Sequence, residues 1–444
     1  MRSLWLLLAG HRDYRLLVGA GLVSALGDYV LGVGLTYLVY DMTGSTVASA
    51  AMLVVSVLPQ VLLASAAGVL VDRWDRRRTL AVTYLLQVAV LAPLLVVTDD
   101  SRLWVLYLVA AAAAVVEQLS TPAEQALVPH LVPVEDLVPA NAINGQSRNV
   151  ARLVGSGLGG VTAAWGGLPA LAVVDAVTFL LAAWLVLAIR ARSATTAPAD
   201  DEAALPTPWW VEWRAGLAVA AKSRTLRVLL LFTAATAVGE GVMGTLFPAF
   251  VRDVLDSDAR GYGVVVGVQA IGGVAGGLLV AAFGARWRPE RLLAAAAVAF
   301  GLIDLTLFLY PLAWVHLGPA VVLMVVVGIP GAAVTASFTT LLQLATTDAY
   351  RGRVFGTVLG LQSGGVLVGS LLAGWLAEVL GIVPVIAWQG AGYVVLGIVV
   401  ALRLGRDVSA ERVQDRAGSG GESSSETDGS LSSITSSGKA ADAR

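Results

Sequence analysis

Cysteine is absent from the 444-residue chain, which excludes a disulfide framework, a thiolate nucleophile and a cysteine-ligated metal. Lysine occurs only at Lys222 and Lys439, so positive charge is carried almost entirely by arginine. The three histidines, His11, His130 and His316, fall at the ends of apolar blocks without metal-ligand spacing. Neither lysine sits in a phosphate-cradling Gly-Lys-Ser/Thr loop, so this chain carries no ATP-driven machinery of its own. Charge is sparse as well. Asp, Glu, Lys and Arg make up 14% of residues, where soluble domains average about 25%. A net charge of −2 excludes a generic nucleic-acid binder. What fills the chain instead is apolar: 57% hydrophobic residues and a mean hydropathy of +0.78.

The apolar excess comes in blocks at 16–40, 47–71, 79–97, 103–120, 138–163, 168–190, 226–250, 262–284, 291–311, 317–341, 354–377 and 383–404. Each is close to the ~20 residues that a helix needs to cross hydrocarbon, and the runs lack the alternation of barrel strands. Twelve membrane helices are therefore expected. With the N-terminus inside, all Lys and Arg except Arg102, Arg252 and Arg260 fall on the inner side, as the positive-inside rule requires. An even count also places the C-terminus inside. The short run Leu4 to Ala9 is followed by His11-Arg12-Asp13-Tyr14-Arg15 rather than a small-residue cleavage site, so it reads as an uncleaved lead-in. Residues 191–225 read as a polar linker running into an interfacial helix with Trp209, Trp210 and Trp213. Residues 405–444, rich in Ser, Gly, Asp and Glu, read as a disordered cytoplasmic tail.

The chain repeats itself. At a shift of about 212 residues, Leu26-Gly27-Asp28-Tyr29-Val30 aligns with Val238-Gly239-Glu240-Gly241-Val242, and Asp41 with Asp253. Val154-Gly155-Ser156-Gly157 meets Val368-Gly369-Ser370-Leu371, and Gly68-Val69-Leu70-Val71 meets Gly277-Leu278-Leu279-Val280, in nearby registers. Residues 1–190 and 226–404 are thus expected to form two pseudo-symmetric six-helix bundles, able to rock about a site at the midplane.

Several motifs resemble a known superfamily. Gly68-Val69-Leu70-Val71-Asp72-Arg73-Trp74-Asp75-Arg76-Arg77-Arg78 is similar to the Gly-x-x-x-Asp-Arg-x-Gly-Arg-Arg loop of the major facilitator superfamily, with Asp75 at the second glycine. His11-Arg12-Asp13-Tyr14-Arg15, Pro122-Ala123, Leu127-Val128-Pro129, Ala140-Asn141-Ala142 and Arg351-Gly352-Arg353-Val354-Phe355-Gly356 resemble its enterobactin-exporter and macrolide-efflux-like branch. The resemblance implies an all-α transporter working by alternating access. It also implies that Asp72 meets the start of the eleventh span, between Arg351 and Gly356 and including Arg353, and latches the halves, with Arg73, Arg76, Arg77 and Arg78 reaching carboxylates or lipid phosphate. An anchoring role without a latch is the alternative. The second-half loop, Gly284 to Arg291, lacks the Asp, so any latch is asymmetric. Superfamily antiporters often carry Gly-Pro-x-x-Gly-Gly in the fifth span; here Ser156 takes the proline's place.

Gly155-Ser156-Gly157-Leu158-Gly159-Gly160 lacks the strand of a dinucleotide site. Its small residues suit close helix packing.

Asp28, Glu117, Arg148, Arg152, Asp175, Glu240 and Asp304 fall inside spans. Such groups are expensive in lipid and face cavities or partners. Glu117 and Arg148 are expected to pair, with Arg152 extending that network; Asp175 and Asp304 read as structural. Asp28 and Glu240 are repeat equivalents, and the resemblance places their helices around the central cavity. Carboxylates that exchange a proton and attract a cationic substrate supply a simple antiport chemistry.

The expected function is proton-coupled efflux of a small amphipathic molecule by a secondary transporter of the cell membrane, monomeric and needing no cofactor. An importer or facilitator on the same scaffold, or a non-transporting membrane sensor, are the alternatives.

Overall fold

The computed structural model describes residues 10–97, 102–133, 136–190, 223–346 and 351–404. Residues 191–222 of the predicted linker (191–225) and the tail (405–444) lie outside the described residues; Ser223 to Thr225 already cap and open α6. Among those described there are eleven α-helices and no strand. They are α1 (Arg12–Thr43), α2 (Thr46–Arg73), α3 (Arg76–Leu91), α4 (Leu103–Leu127), α5 (Leu137–Leu187), α6 (Arg224–Ala249), α7 (Ala259–Phe283), α8 (Pro289–Leu309), α9 (Leu317–Leu344), α10 (Arg351–Leu380) and α11 (Ile382–Leu404).

Local chemistry sets the helix ends. Gly44 takes a left-handed conformation (φ 61°) and its N–H closes on the Tyr40 carbonyl at 2.7 Å, which stops α1. Side chains at the N-terminal ends accept backbone N–H groups that would otherwise be orphaned: Asp75 from Arg78, Ser223 from Leu226 and Asp258 from Gly261. The substituted loop residue Asp75 is therefore a helix cap.

Helix α5 has 51 residues, about 77 Å at 1.5 Å per residue, far beyond the ~30 Å of hydrocarbon. It is broken at Gly167 (φ 58°, ψ −149°), two residues before Pro169. The expected fifth and sixth spans are its two limbs, 137–166 and 168–187. Ten helical stretches are long and apolar enough to cross a membrane, with the two limbs counted together; Thr46–Gln60 forms a shorter apolar stretch within α2.

Helix exteriors are apolar, the reverse of a soluble protein. Trp104, Trp165, Trp184, Trp375, Leu278 and Val379 all lie exposed on the bundle surface, as a lipid-facing belt demands.

The duplication is visible in the packing. A Cβ added to Gly155 would stand 2.7 Å from the Leu26 carbonyl oxygen, and one added to Gly369 would stand 2.0 Å from that of Val238. Likewise Gly27 lets α1 close on Asp175 and Thr178, and Gly239 lets α6 close on Gln389. The same small residues at the same register hold equivalent helix pairs together in each half.

Candidate functional site

Among the described residues, the halves pack against each other at the end where α1 and the first limb of α5 finish and α7 begins. Helix α5 meets α7, and α2 meets α10. Gly160 approaches Ala259 and Gly263 so closely that an added Cβ would lie 2.2 Å from the Ala259 carbonyl oxygen. Gly263 and Gly267 close in turn on the Ser156 and Leu153 carbonyls. The mirrored contact sets Gly374 against Thr46, Val47 and Ala50, with the Thr46 hydroxyl donating to the Gly374 carbonyl at 2.9 Å.

A polar clasp tops this end. The Tyr40 hydroxyl donates to the Asp253 carboxylate, and Arg252 pairs with Asp41 at 3.0 Å. Arg252 also reaches the Tyr40 carbonyl at 3.5 Å and lies over the Tyr40 ring, 5.8 Å from its centroid. In the repeat register Tyr40 is equivalent to Arg252 and Asp41 to Asp253. The clasp is thus reciprocal about the pseudo-two-fold axis: position 40 meets 253 and position 252 meets 41.

At the opposite end, where α1, α5, α6 and α10 begin, the halves diverge around a cavity of about 920 Å³. One wall carries Gln146, Asn149 and Arg152 of α5. The other carries Phe232, Thr233, Thr236 and Glu240 of α6, Gln269 of α7, Phe338 of α9, Phe355 and Gln362 of α10, and Tyr393 of α11. Gln362 lies beside the Glu240 carboxylate. Aromatic rings pack as a shelf, with Phe300 and Tyr393 4.5 Å and Phe232 and Phe338 6.0 Å between centroids.

Asp28 belongs to a different cluster. Ser24 lies one turn before it, and its charged neighbours are Asp175, Glu117 and Glu124, all in the first half. Glu240 is not among them, so the two repeat-equivalent carboxylates occupy separate environments. Asp175, expected to be purely structural, is buried against Gly27 and receives the Thr178 hydroxyl at 3.3 Å. Arg148 makes its ion pair with Glu124, at 3.9 Å, while Glu117 lies within electrostatic range of the same guanidinium. The expected Glu117–Arg148 pair is corrected accordingly. Glu124 escaped the sequence reading because the fourth apolar block was ended at residue 120, whereas α4 runs through Pro122 to Leu127. Arg152 does not extend this network: it lines the cavity. Asp304 is buried on α8, and one of its carboxylate oxygens has no hydrogen-bond partner among the described residues.

Of the loop motif, the side chains of Gly68, Asp72 and Arg73 lie outside the described set, as does that of Arg353. Arg77 donates to the Val186 and Leu187 carbonyls at 3.2 and 2.5 Å, and Arg76 to the Ala126 carbonyl at 3.5 Å. Neither reaches a carboxylate there; both tie helix C-termini of their own half, where backbone carbonyls lack intrahelical partners. Of the four glycines assigned to helix packing, Gly155, Gly159 and Gly160 sit at close backbone approaches. A Cβ on Gly157 would meet nothing within 4 Å.

Among the described residues, no group of His, Asp and Glu side chains is arranged to hold a metal ion.

Known proteins resemble the whole assembly. A sequence profile for transmembrane secretion effectors matches residues 8–417. Macrolide efflux protein A of Streptococcus pyogenes is 24% identical over 363 residues, covering 81% of this chain and 88% of that protein. The staphyloferrin A transporter of Staphylococcus aureus is 23% identical, over 84% of this chain and 92% of its own. The multidrug efflux pump Tap of Mycobacterium tuberculosis is 27% identical, over 83% and 87%. Among solved structures, the nucleoside transporter NupG superposes with a TM-score of 0.66 at 15% identity, covering 88% of this chain and 99% of that one. A bacterial homologue of the iron transporter ferroportin, in an inward-facing state, gives 0.67 at 17% identity, covering 88% and 98%. At these identities the structural matches speak for the fold.

Proposed function

The chain belongs to the transmembrane secretion effector family of the major facilitator superfamily, and from that premise we propose that it is a proton-coupled exporter of small amphipathic molecules. It is a membrane transporter and not an enzyme. The finer reading rests on one observation: a cavity of about 920 Å³ between two halves that are sealed at one end and apart at the other. That volume suits a drug-sized ligand. In the orientation that the arginine distribution favours, the open end is cytoplasmic, so the cavity loads from inside.

Two sets of groups divide the labour. The cavity, with Glu240, Gln362 and the aromatic shelf, receives the substrate. The first-half cluster of Asp28, Glu117, Asp175 and Glu124 around Arg148 receives the proton. Glu124 and Glu117 share the Arg148 guanidinium, and Asp28 and Asp175 add two further carboxylates beside them, so protons can balance the remaining charge. Helix α1 carries Asp28 in its middle and the Tyr40–Asp41 clasp near its end, which gives proton uptake a rigid route to the seal. Alternating access follows when the clasp opens and the loop-motif end closes.

Inverted membrane vesicles with an acidified lumen should accumulate a test compound, in a panel that includes a macrolide and a carboxylate siderophore, and should stop when the gradient is collapsed. Asp28→Asn should abolish the gradient-driven part while the protein remains folded and membrane-inserted. Gradient-driven accumulation at the intact rate in that variant would overturn the proton role.

A further inference from the structure

Gln146, Asn149 and Arg152 recur at three-residue spacing along α5, so they share one helix face, and all three line the cavity. Among the described lining residues Arg152 is the single cation and Glu240 the single anion. No ion pair joins the two among the described residues. The contrast with Arg148, four residues earlier on the same helix, is sharp. Arg148 has Glu124 at 3.9 Å. Arg152 has no ion-pair or hydrogen-bond partner among the described residues, and its Nε is buried and unsatisfied.

An uncompensated guanidinium inside a membrane protein is unfavourable until something anionic arrives. Its planar fork matches a carboxylate, which it binds through two parallel hydrogen bonds. Gln146 and Asn149 offer amide donors on the same wall. The other half supplies an apolar surface: Phe232 packs on Phe338 and, edge-on at 6.2 Å, on Tyr393, which also stacks near Phe300.

Building on the transport reading above, we infer that the cavity's own ligand class is the amphipathic carboxylate: a small molecule whose acid group pairs with Arg152 beside Gln146 and Asn149 while its ring system lies on the shelf of Phe232, Phe300, Phe338 and Tyr393. The site would then select for an acid and against a cation of the same size and shape.

Two xanthene dyes separate these cases. Fluorescein carries a free carboxylate; rhodamine 6G has the acid esterified and the ring system cationic. Fluorescence anisotropy on the purified full-length protein in detergent should show fluorescein binding more tightly than rhodamine 6G. Arg152→Gln should weaken fluorescein at least about tenfold, the size expected on losing a charge-assisted pair, and leave rhodamine 6G within about twofold. Arg152→Lys should recover part of the loss. Unchanged rhodamine binding and a monodisperse elution profile show that the variant is folded. Absence of fluorescein binding, equal weakening of both dyes, or tighter binding of rhodamine 6G by the intact protein would each overturn the inference. Proteoliposomes keep the two readings apart. Gradient-driven movement of rhodamine 6G alone refutes the carboxylate site and leaves transport standing. Arg152-dependent binding of fluorescein without movement of either dye refutes transport and leaves the site standing.

Discussion

Glycines two and three positions apart on α5 do different work here. The missing Cβ of Gly160 points at the Ala259 backbone, 2.2 Å from its carbonyl oxygen, whereas that of Gly157 points into open space. A carbonyl oxygen in a helix cannot swing aside as a flexible side chain can. Gly160→Val must therefore push α5 away from α7 and hold the sealed end apart, at the cost of about 1–3 kcal/mol typical of overpacking. Transport in vesicles should fall by roughly tenfold or more if the seal is weakened by that amount, with expression retained, while Gly157→Ala should transport normally. Equal behaviour of the two variants would show that the close approach at Gly160 does not govern closure. The sequence alone ranked all four glycines of this stretch together. Helical spacing says which residues share a face, but which neighbour presses on that face is a matter of tertiary packing.

At the level of the helices, the two limbs of α5 depend on one residue. Gly167 holds φ at 58° with ψ at −149°, a region that side-chain-bearing residues enter only at a cost of order 1–3 kcal/mol. Gly167→Ala should lower the melting temperature in detergent by several degrees, and an unchanged melt would show that the break is held by Pro169 and packing alone. The Arg77 side chain should behave as a tie: Arg77→Ala frees the Val186 and Leu187 carbonyls and should reduce thermal stability by about 1 kcal/mol more than it reduces turnover. A large turnover loss at unchanged stability would instead put Arg77 in the latch. Much at this scale was legible in the sequence, because apolar runs of bilayer length have few alternative folds and Gly, Pro, Asp and Ser mark their ends. The ion pairs were harder to read. Arg148 lies closer in sequence to Glu124 than to Glu117, yet the prediction favoured Glu117, because Glu124 fell outside the apolar block at 103–120. Asp175 was read as structural, and its own helix gives no sign that Gly27 brings Asp28's helix against it; which role it has is a matter for the Asp28 cluster as a whole.

On the scale of the whole molecule, the duplication foretold two bundles, and the packing repeats in kind. It did not foretell the state of the bundles. A chain that alternates must hold comparable contacts in both states, so one sequence cannot single out which end is sealed. Here the seal consists of small-residue helix contacts and the reciprocal clasp of Tyr40 with Asp253 and Arg252 with Asp41. The Arg252–Asp41 pair is partly exposed, with side chains 35% and 41% accessible, and such pairs are worth about 0.2–1 kcal/mol. The hydrogen bond from Tyr40 to a charged carboxylate is worth about 1.5–3 kcal/mol. Together these are enough to move a balanced two-state equilibrium by tenfold or more, since about 1.4 kcal/mol is one decade. Removing both with Tyr40→Phe and Arg252→Ala should therefore shift the population toward the state open at this end. Ser49 reports on it, being only 2% accessible and lying between Thr46 and Ala50, which meet the other half at Gly374, in a chain otherwise free of cysteine. Ser49→Cys should react slowly with an impermeant maleimide in the intact protein and several-fold faster when the clasp is gone, with Gly160→Val as a positive control acting through the helix contact instead. The same labelling fixes orientation, since it should succeed from outside the cell and a cysteine at Ala199 should not be reached from there. If loss of the clasp leaves the Ser49→Cys rate unchanged while Gly160→Val raises it, the seal is held by backbone proximity of the small residues, and the polar groups above it serve another purpose.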